Sequence, residues 1–460
     1  MLDSNRVSGI GNRASSKGEL TMARDSHISR RKFIKQTAGT ALGAISFPYF
    51  VPSSVLGQAG SVAPSNRITM GCIGVGWQGG SNLGSFLRER DCQVVAVCDV
   101  DKNHLQEAAN NVNRRYRNKD CATYADFREL LARDDIDTVS LGLPDHWHAI
   151  PAIEAAKSGK DIFGEKPLSH DLKQGRAMCD AVKRYGRIWQ TGSWQRSQSH
   201  FRRACELVVN GRIGKVTRVE VGLPSGHTDF GETQGQEGII PPPAELDYDF
   251  WVGPALYSPY CPARVHKNWR WVLDHGGGQL MDWVGHHVDI AHWGLGFDYT
   301  GPYEIEGTGE YPRDGLWDSP TRYRLTAKYP NDITMIIAGG HRDIRGGTKW
   351  IGTDGWVWVN RNNSLEAEPK KILDEKIGPN EIHLYDSPGH WRDFLDCVKN
   401  RKTTITPCEV AHRSATPGHL GNIAMLLGRK IRFNPDTEEI LGDPTAASLL
   451  GKAKRSPWHL

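Results

Sequence analysis

The sequence predicts an α/β fold: a doubly wound parallel sheet with helices on both faces, then a second α/β domain built on a half-buried sheet. Three observations carry this. From residue 66 to about 191, short apolar runs alternate with amphipathic stretches of helical period. A glycine-rich turn, Gly74-Val75-Gly76-Trp77-Gln78-Gly79, stands between the first apolar run and the first helical one. Beyond Gly192 several segments alternate apolar and polar residues, as a sheet with one face on a core does.

Taken in order, the strand patterns of the first half are Ile68–Ile73, Val94–Cys98, Thr138–Leu143, Asp161–Phe163 and Ile188–Thr191. Helical patterns fall between them at Ser81–Glu89, Lys102–Arg114, Tyr124–Ala132, His146–Ser158 and Asp171–Tyr185. Strands separated by helices pair in parallel, and ligands on such sheets sit at the strand C-terminal ends. Three motifs lie there: the glycine turn, Leu143-Pro144-Asp145-His146-Trp147-His148, and Gly164-Glu165-Lys166-Pro167. In the second half, strand patterns occur at Val216–Val221, Tyr323–Tyr329, Ile333–Ala338 and Gly355–Val359. A long irregular insert, Leu223 to Gly278, separates the first two and carries Trp251, Tyr257, Tyr260, Trp269 and Trp271. Loops of that length in compact enzymes usually serve a function. Helical segments near 390–400 and 408–429 are expected to pack on the second sheet.

The N-terminal stretch reads differently. Ser29-Arg30-Arg31-Lys32-Phe33-Ile34-Lys35 precedes a mildly apolar run, Ala38 to Val51, the pattern of a twin-arginine export signal. The expected organisation is therefore 1–62 as signal and linker, 63–191 as a nucleotide-binding domain, and 192–460 as a substrate-binding and oligomerisation domain. The formal charge of +4 resides in the leader: residues 1–60 hold 8 basic and 3 acidic residues, leaving 49 and 50 for the rest. The remaining chain offers no bulk electrostatic attraction for nucleic acid or an anionic membrane. Nine cysteines without a Cys-x-x-Cys pair read as buried thiols rather than a disulfide framework.

The chemistry concentrates in two places. Gly-x-Gly-x-x-Gly between a strand and a helix is the dinucleotide fingerprint. Gly74 makes the tight turn, Gly76 admits a pyrophosphate to the backbone, and Gly79 lets helix and strand pack closely, with Trp77 and Gln78 opening the helix. Asp99 ends the next strand 20 residues after Gly79, where an acid hydrogen-bonds the adenosine ribose. A carboxylate there repels a 2′-phosphate, so the expected cofactor is NAD rather than NADP. The second place is Gly276-Gly277-Gly278-Gln279-Leu280-Met281-Asp282-Trp283-Val284-Gly285-His286-His287-Val288-Asp289. On a regular helix Asp282, His286, Asp289 and Trp293 share one face. A carboxylate there fixes an imidazole tautomer and the imidazole takes a proton. A metal reading of His275, His286, His287 and His292 lacks the His-Glu-x-x-His order, so no metal is expected.

Together the glycine turn with Asp99, the Leu143–Ala149 motif, Glu165-Lys166-Pro167, and Gly277-Gly278 followed by Asp282, His286 and Asp289 resemble the Gfo/Idh/MocA oxidoreductases, over roughly residues 66 to 430. The family is named for glucose–fructose oxidoreductase and inositol dehydrogenase. The resemblance implies an N-terminal Rossmann domain and a C-terminal α/β domain with a large open, mostly antiparallel sheet that mediates homodimers or homotetramers. It implies Lys166 as the catalytic lysine, Asp282 and His286 as an acid–histidine pair, and Leu143, Pro144, His148 and Glu165 beside the cofactor. It also implies a sugar or glycoside substrate: His286 removes a hydroxyl proton and Lys166 stabilises the alkoxide as hydride leaves. Trp194 and Arg196 at the domain crossover, with Arg264, Trp269, Arg270 and His275 of the insert region, are the expected substrate contacts. One departure is visible: Val284 and Gly285 are swapped relative to the family's habit. An exported member, met by the export machinery already folded, is expected to hold NAD tightly and run a redox-neutral cycle. NAD-dependent glycoside cleavage through transient oxidation and elimination is the alternative. A third reading is a carbohydrate-binding protein that keeps the fold without turnover.

Overall fold

The computed structural model describes residues 62–460; the twin-arginine motif lies outside the described residues. The first sheet contains β1 (Ile68–Ile73), β2 (Cys92–Cys98), β3 (Ala122–Tyr124), β4 (Thr138–Leu141), β5 (Asp161–Gly164) and β6 (Trp189–Thr191). Their order is β3-β2-β1-β4-β5-β6, every pair parallel. This is the Rossmann order, and it reverses between β1 and β4. Apart from the edge strand β3, the strands are largely buried on both faces, as a sheet sandwiched between helices requires. Ile68, Met70 and Cys72 enter the core on one side and Ile73 the core on the other. β3 escaped the sequence reading because three residues, none fully buried, give no periodic signal.

Two helices show why their boundaries fall where they do. Asp101 begins Lys102–Tyr116 by accepting hydrogen bonds from the N–H groups of Asn103 and His104, and Arg117 ends it in the left-handed conformation. The helix Trp77–Phe86 instead begins at Gly76, which has no side chain to cap it. Its first-turn N–H groups are left for a ligand.

The second sheet is formed by β7 (Val216–Leu223), β8 (Glu304–Glu310), β9 (Arg322–Tyr329), β10 (Ile333–Gly339), β11 (Gly347–Gly352), β12 (Trp356–Asn360), β13 (Ser364–Glu368), β14 (Ile431–Asn434) and β15 (Glu439–Ile440). Its order is β13-β12-β11-β7-β10-β9-β8-β14-β15. Only the central β10–β7 pair is parallel. Helix Cys408–Leu427 lies on its core face, where Gly418 comes close to Met281 and Gly421 to Leu325. Helix His390–Asn400 differs from expectation. Its Phe394 packs edge-on against Phe86 and Phe163 of the Rossmann half, with ring centroids 6.0 and 5.8 Å away. The chain thus returns to cover the first sheet after building the second.

The insert is ordered too. Leu246, Tyr248, Trp251, Val252, Tyr260, Val265 and Trp269 form a small core of their own. This unit is stitched to the Rossmann half through backbone bonds Lys102 N to Glu245 O and Asp247 N to Val100 O. All nine cysteines are free thiols, eight of them buried. Among the described residues no helix is long and apolar enough to cross a membrane.

Candidate functional site

A cavity of about 450 Å³ opens at the C-terminal ends of the parallel strands, roofed by the insert and closed on its far side by Asp282, Trp283 and His286 with Arg361. Gly74, Gly76, Trp77, Gln78, Asp99, Leu143, Pro144, Glu165 and Lys166 line it. Gly74 has φ +74°, and a Cβ there would meet the carbonyl oxygen of Gly142 at 2.6 Å, so only glycine makes this turn. Gly79 lies behind the lining. A Cβ on it would sit 1.9 Å from the Gly74 carbonyl oxygen, so it serves helix–strand packing. Asp99 is held by N–H donors from Val75 (2.8 Å) and Asp101 (2.9 Å), and burial raises its pKa. His104 stands against Gly76 and 4.0 Å from the Asp99 carboxylate. His266 reaches in from the insert, 4.9 Å from the His104 ring. Among the described residues, Asp101, His104 and His266 are the group with metal-ligand spacing, their ligand atoms within 4.8 Å of one another.

His148 is not in the cavity wall. Its ring bonds to the carbonyl oxygens of Pro167 (2.7 Å) and Leu143 (2.9 Å), tying two cofactor-side loops together. Glu165 accepts from Asn82 at 2.8 Å, on the nucleotide side.

At the other end, Lys166 Nζ donates to Asp282 Oδ1 at 2.8 Å and to the Asp282 carbonyl oxygen at 2.9 Å. Arg270 Nε donates to the same carboxylate at 3.1 Å. Burial opposes ionisation of Asp282, but Lys166 and Arg270 outweigh it and hold the carboxyl at about 2. His286 also lines the cavity, with Nδ1 buried and unpartnered among the described residues. Burial, reinforced by Lys166 and Arg361, keeps this imidazole neutral. The acid–histidine pair read from the sequence is therefore not formed, because Asp282 is committed to two cations. The physical reason is a π turn. The helix runs α over Gly278–Trp283, π over Val284–Val288 and α again over Asp289–Leu295. The widened turn breaks the register that puts Asp282, His286, Asp289 and Trp293 on one face. Asp289 points instead to Arg196. Gly285 faces Lys166, whose Cβ would lie 2.9 Å from an added methyl. The Val284–Gly285 order thus leaves room for the lysine. His287 turns away to stack on Trp283, 5.9 Å between ring centroids.

The expected substrate contacts divide. Trp194, Trp269, Arg270, Asp282 and His286 line the cavity. Arg196 does not: it is 2% exposed and bonded to Asp289 and Asp298, a buried strut beneath the crossover. Arg264 lies outside the lining. His275 is fully buried between His146 and Trp251, at 4.7 and 5.0 Å. Arg361, Trp283, Lys267, Phe230 and Phe250 also line the cavity and went unread. Trp283 stood inside the Gly276–Asp289 motif, but a regular helix hides it. Arg361 follows a strand and no local pattern marks it.

The cavity's make-up suits NAD: an uncapped helix start, glycine where a pyrophosphate must approach, and a fixed carboxylate at the ribose position. Comparison with known proteins agrees. Residues 68–193 match the model of the oxidoreductase family's NAD-binding Rossmann fold, and 192–460 that of its C-terminal alpha/beta domain. A glycosyl hydrolase family 109 protein of Shewanella baltica is 32% identical over 173 residues, 34% of this chain and 38% of that protein. The match thus spans well under half the length of the curated relative. The aldose-aldose oxidoreductase of Caulobacter crescentus, solved with glycerol, superposes with TM-score 0.58 at 18% identity, over 80% of this chain and 100% of that one. Scyllo-inositol dehydrogenase of Lactobacillus casei, solved with NAD(H) and scyllo-inositol, superposes with TM-score 0.55 at 14% identity, over 80% and 99%. At these identities the structures establish the fold, and with both halves matched by its models the chain belongs to the Gfo/Idh/MocA oxidoreductase family.

Proposed function

We propose that the protein oxidises a hydroxyl of a sugar or glycoside, using NAD held in the cavity. The observation that carries this is Lys166, whose ammonium is fixed by Asp282 at the end of β5 while neutral His286 lines the same cavity. Bound NAD supplies the hydride acceptor. The glycine turn and Asp99 hold its nucleotide end. Lys166 has a third N–H free of the Asp282 bonds and offers it to the substrate oxygen, where alkoxide charge develops. His286, kept neutral, accepts the hydroxyl proton. Asp282 acts through Lys166, holding its ammonium in place. Phe230, Trp194 and Trp269 line the cavity with apolar surface beside the sugar.

Lys166→Ala is expected to lower kcat by at least about 100-fold, the scale of losing one oxyanion-stabilising donor. NAD content should be unchanged, since the nucleotide end is untouched. Turnover near wild type would remove the lysine from the mechanism. A second reading, glycoside cleavage through transient oxidation and elimination, is favoured by the family 109 relative. It differs in product, giving free sugar with no net NADH. For the residues outside the described ones we read the paired arginines as an export signal, which places the protein in the periplasm or beyond. We also read the second sheet as the surface through which copies of the chain pair.

A further inference from the structure

Near the reaction centre, Arg361 is a guanidinium with no carboxylate partner among the described residues. It follows β12, and its backbone N–H donates to Asn360 Oδ1 at 2.7 Å. Its guanidinium lies between two indoles, 4.6 Å from the Trp194 ring and 4.2 Å from that of Trp283. Both rings approach His286, with centroids 6.1 and 5.5 Å away. The guanidinium's one side-chain acceptor is Gln195 Oε1, at 3.5 Å. Its Nε is buried without an acceptor among the described residues. The cavity's other guanidinium is placed differently: Arg270 has Asp282, and its cation also lies 4.7 Å from the Trp77 ring at the glycine turn. Lys267 stands over the same ring at 5.6 Å, so two cations are at hand for a pyrophosphate.

The charge around the reaction centre is unbalanced. Lys166, Arg270 and Arg361 stand against Asp282 and Glu165; Asp282 pairs with Lys166 and Arg270, Glu165 accepts from Asn82, His286 is neutral, and Arg361 has no carboxylate partner among the described residues. A partly desolvated guanidinium with open N–H groups is costly unless an anion meets it. Two indoles lie against the guanidinium, and its planar fork of N–H donors matches a carboxylate.

We propose that Arg361, clamped between Trp194 and Trp283, forms a carboxylate subsite, so that the substrate is a uronic acid or its glycoside rather than a neutral sugar. This rests on reading the cavity as a sugar oxidoreductase site and names the substrate class for it. The sugar ring then lies between the Arg361 fork and Lys166, with the oxidised hydroxyl at the lysine and the carboxylate at the arginine. Arg361 sets specificity and takes no proton.

The test uses the purified holoprotein with methyl glycosides of glucuronic, galacturonic and mannuronic acid, each paired with its neutral hexose parent. Binding is measured by calorimetry, and reduction of bound NAD by its near-ultraviolet absorbance. At least one uronide is expected to bind about 10-fold or more tightly than its neutral partner, the scale of a charge-assisted bidentate contact. Arg361→Gln should abolish that preference, weakening the uronide far more than its neutral partner, and retain NAD. Arg361→Lys should restore part of the preference. Equal binding of every pair by the wild type would overturn the proposal, even if the variants fail to fold. An equal loss for both members of a pair in Arg361→Gln would also overturn it. Failure of the wider reading looks different: a uronide that binds through Arg361 while no sugar ever changes the absorbance of the bound cofactor.

Discussion

Asp145 shows how burial alone can set a charge state. It sits in the Pro144–His148 motif, 4% exposed, on the wall of a second cavity of about 390 Å³ that also holds His170, His419 and Lys452. Burial raises its pKa to about 8, and Arg270 and Lys166 pull back only part of this. The folded protein therefore keeps a proton that the unfolded chain releases near the ordinary carboxylate value of about 4. This contribution to stability is full below about pH 4 and is lost as pH rises through 8. Asp145→Asn should remove that loss. The melting-temperature difference between variant and wild type is expected to move in favour of the variant as pH is raised from 5 to 9. A difference that stays flat with pH would show that Asp145 is not buried as a neutral acid. At this scale the sequence named Lys166, Asp282 and His286 because their motifs are local. It missed Arg361, which reaches the cavity through sheet pairing far along the chain. Arg196 was misread because a cation at a domain crossover looks the same in sequence whether it faces a ligand or a buried acid pair.

The glycine-rich elements were the most legible. A strand, a tight turn and a helix with fixed glycine spacing leave a signature in consecutive residues, and β1 and its turn fall where periodicity puts them. The Gly278–Leu295 element was legible as a helix but not in its detail, because a π turn changes no residue type. That detail decides which side chains meet. Gly285 faces Lys166 because of it, so Gly285→Ala should push the lysine off Asp282 and away from the substrate oxygen. The expected result is a fall in kcat of about 10- to 100-fold, since a displacement near 1 Å suffices for that. NAD content should stay the same. Unaltered kcat would mean that Lys166 tolerates the shift. β13 to β15 and the return of His390–Asn400 to the first sheet were not legible, since short edge strands and long-range docking depend on contacts distant in sequence.

Across the whole molecule, the insert joins the two halves over the nucleotide. His266, Lys267, Trp269 and Arg270 reach the cavity from it, and its small apolar core is bonded to the start of helix Lys102–Tyr116. Trp77 of the glycine turn meets Phe230 of the insert at 5.3 Å. NAD seated in this cavity would lie beneath residues of that unit. We propose that such a cofactor is held and regenerated in place rather than exchanged, in a cycle that oxidises and reduces within one site. The most direct measurement of this is the NAD(H) content of protein purified without added cofactor, denatured, and assayed against chain concentration. Close to one equivalent per chain is expected. An empty protein that binds added NAD only weakly would contradict that proposal.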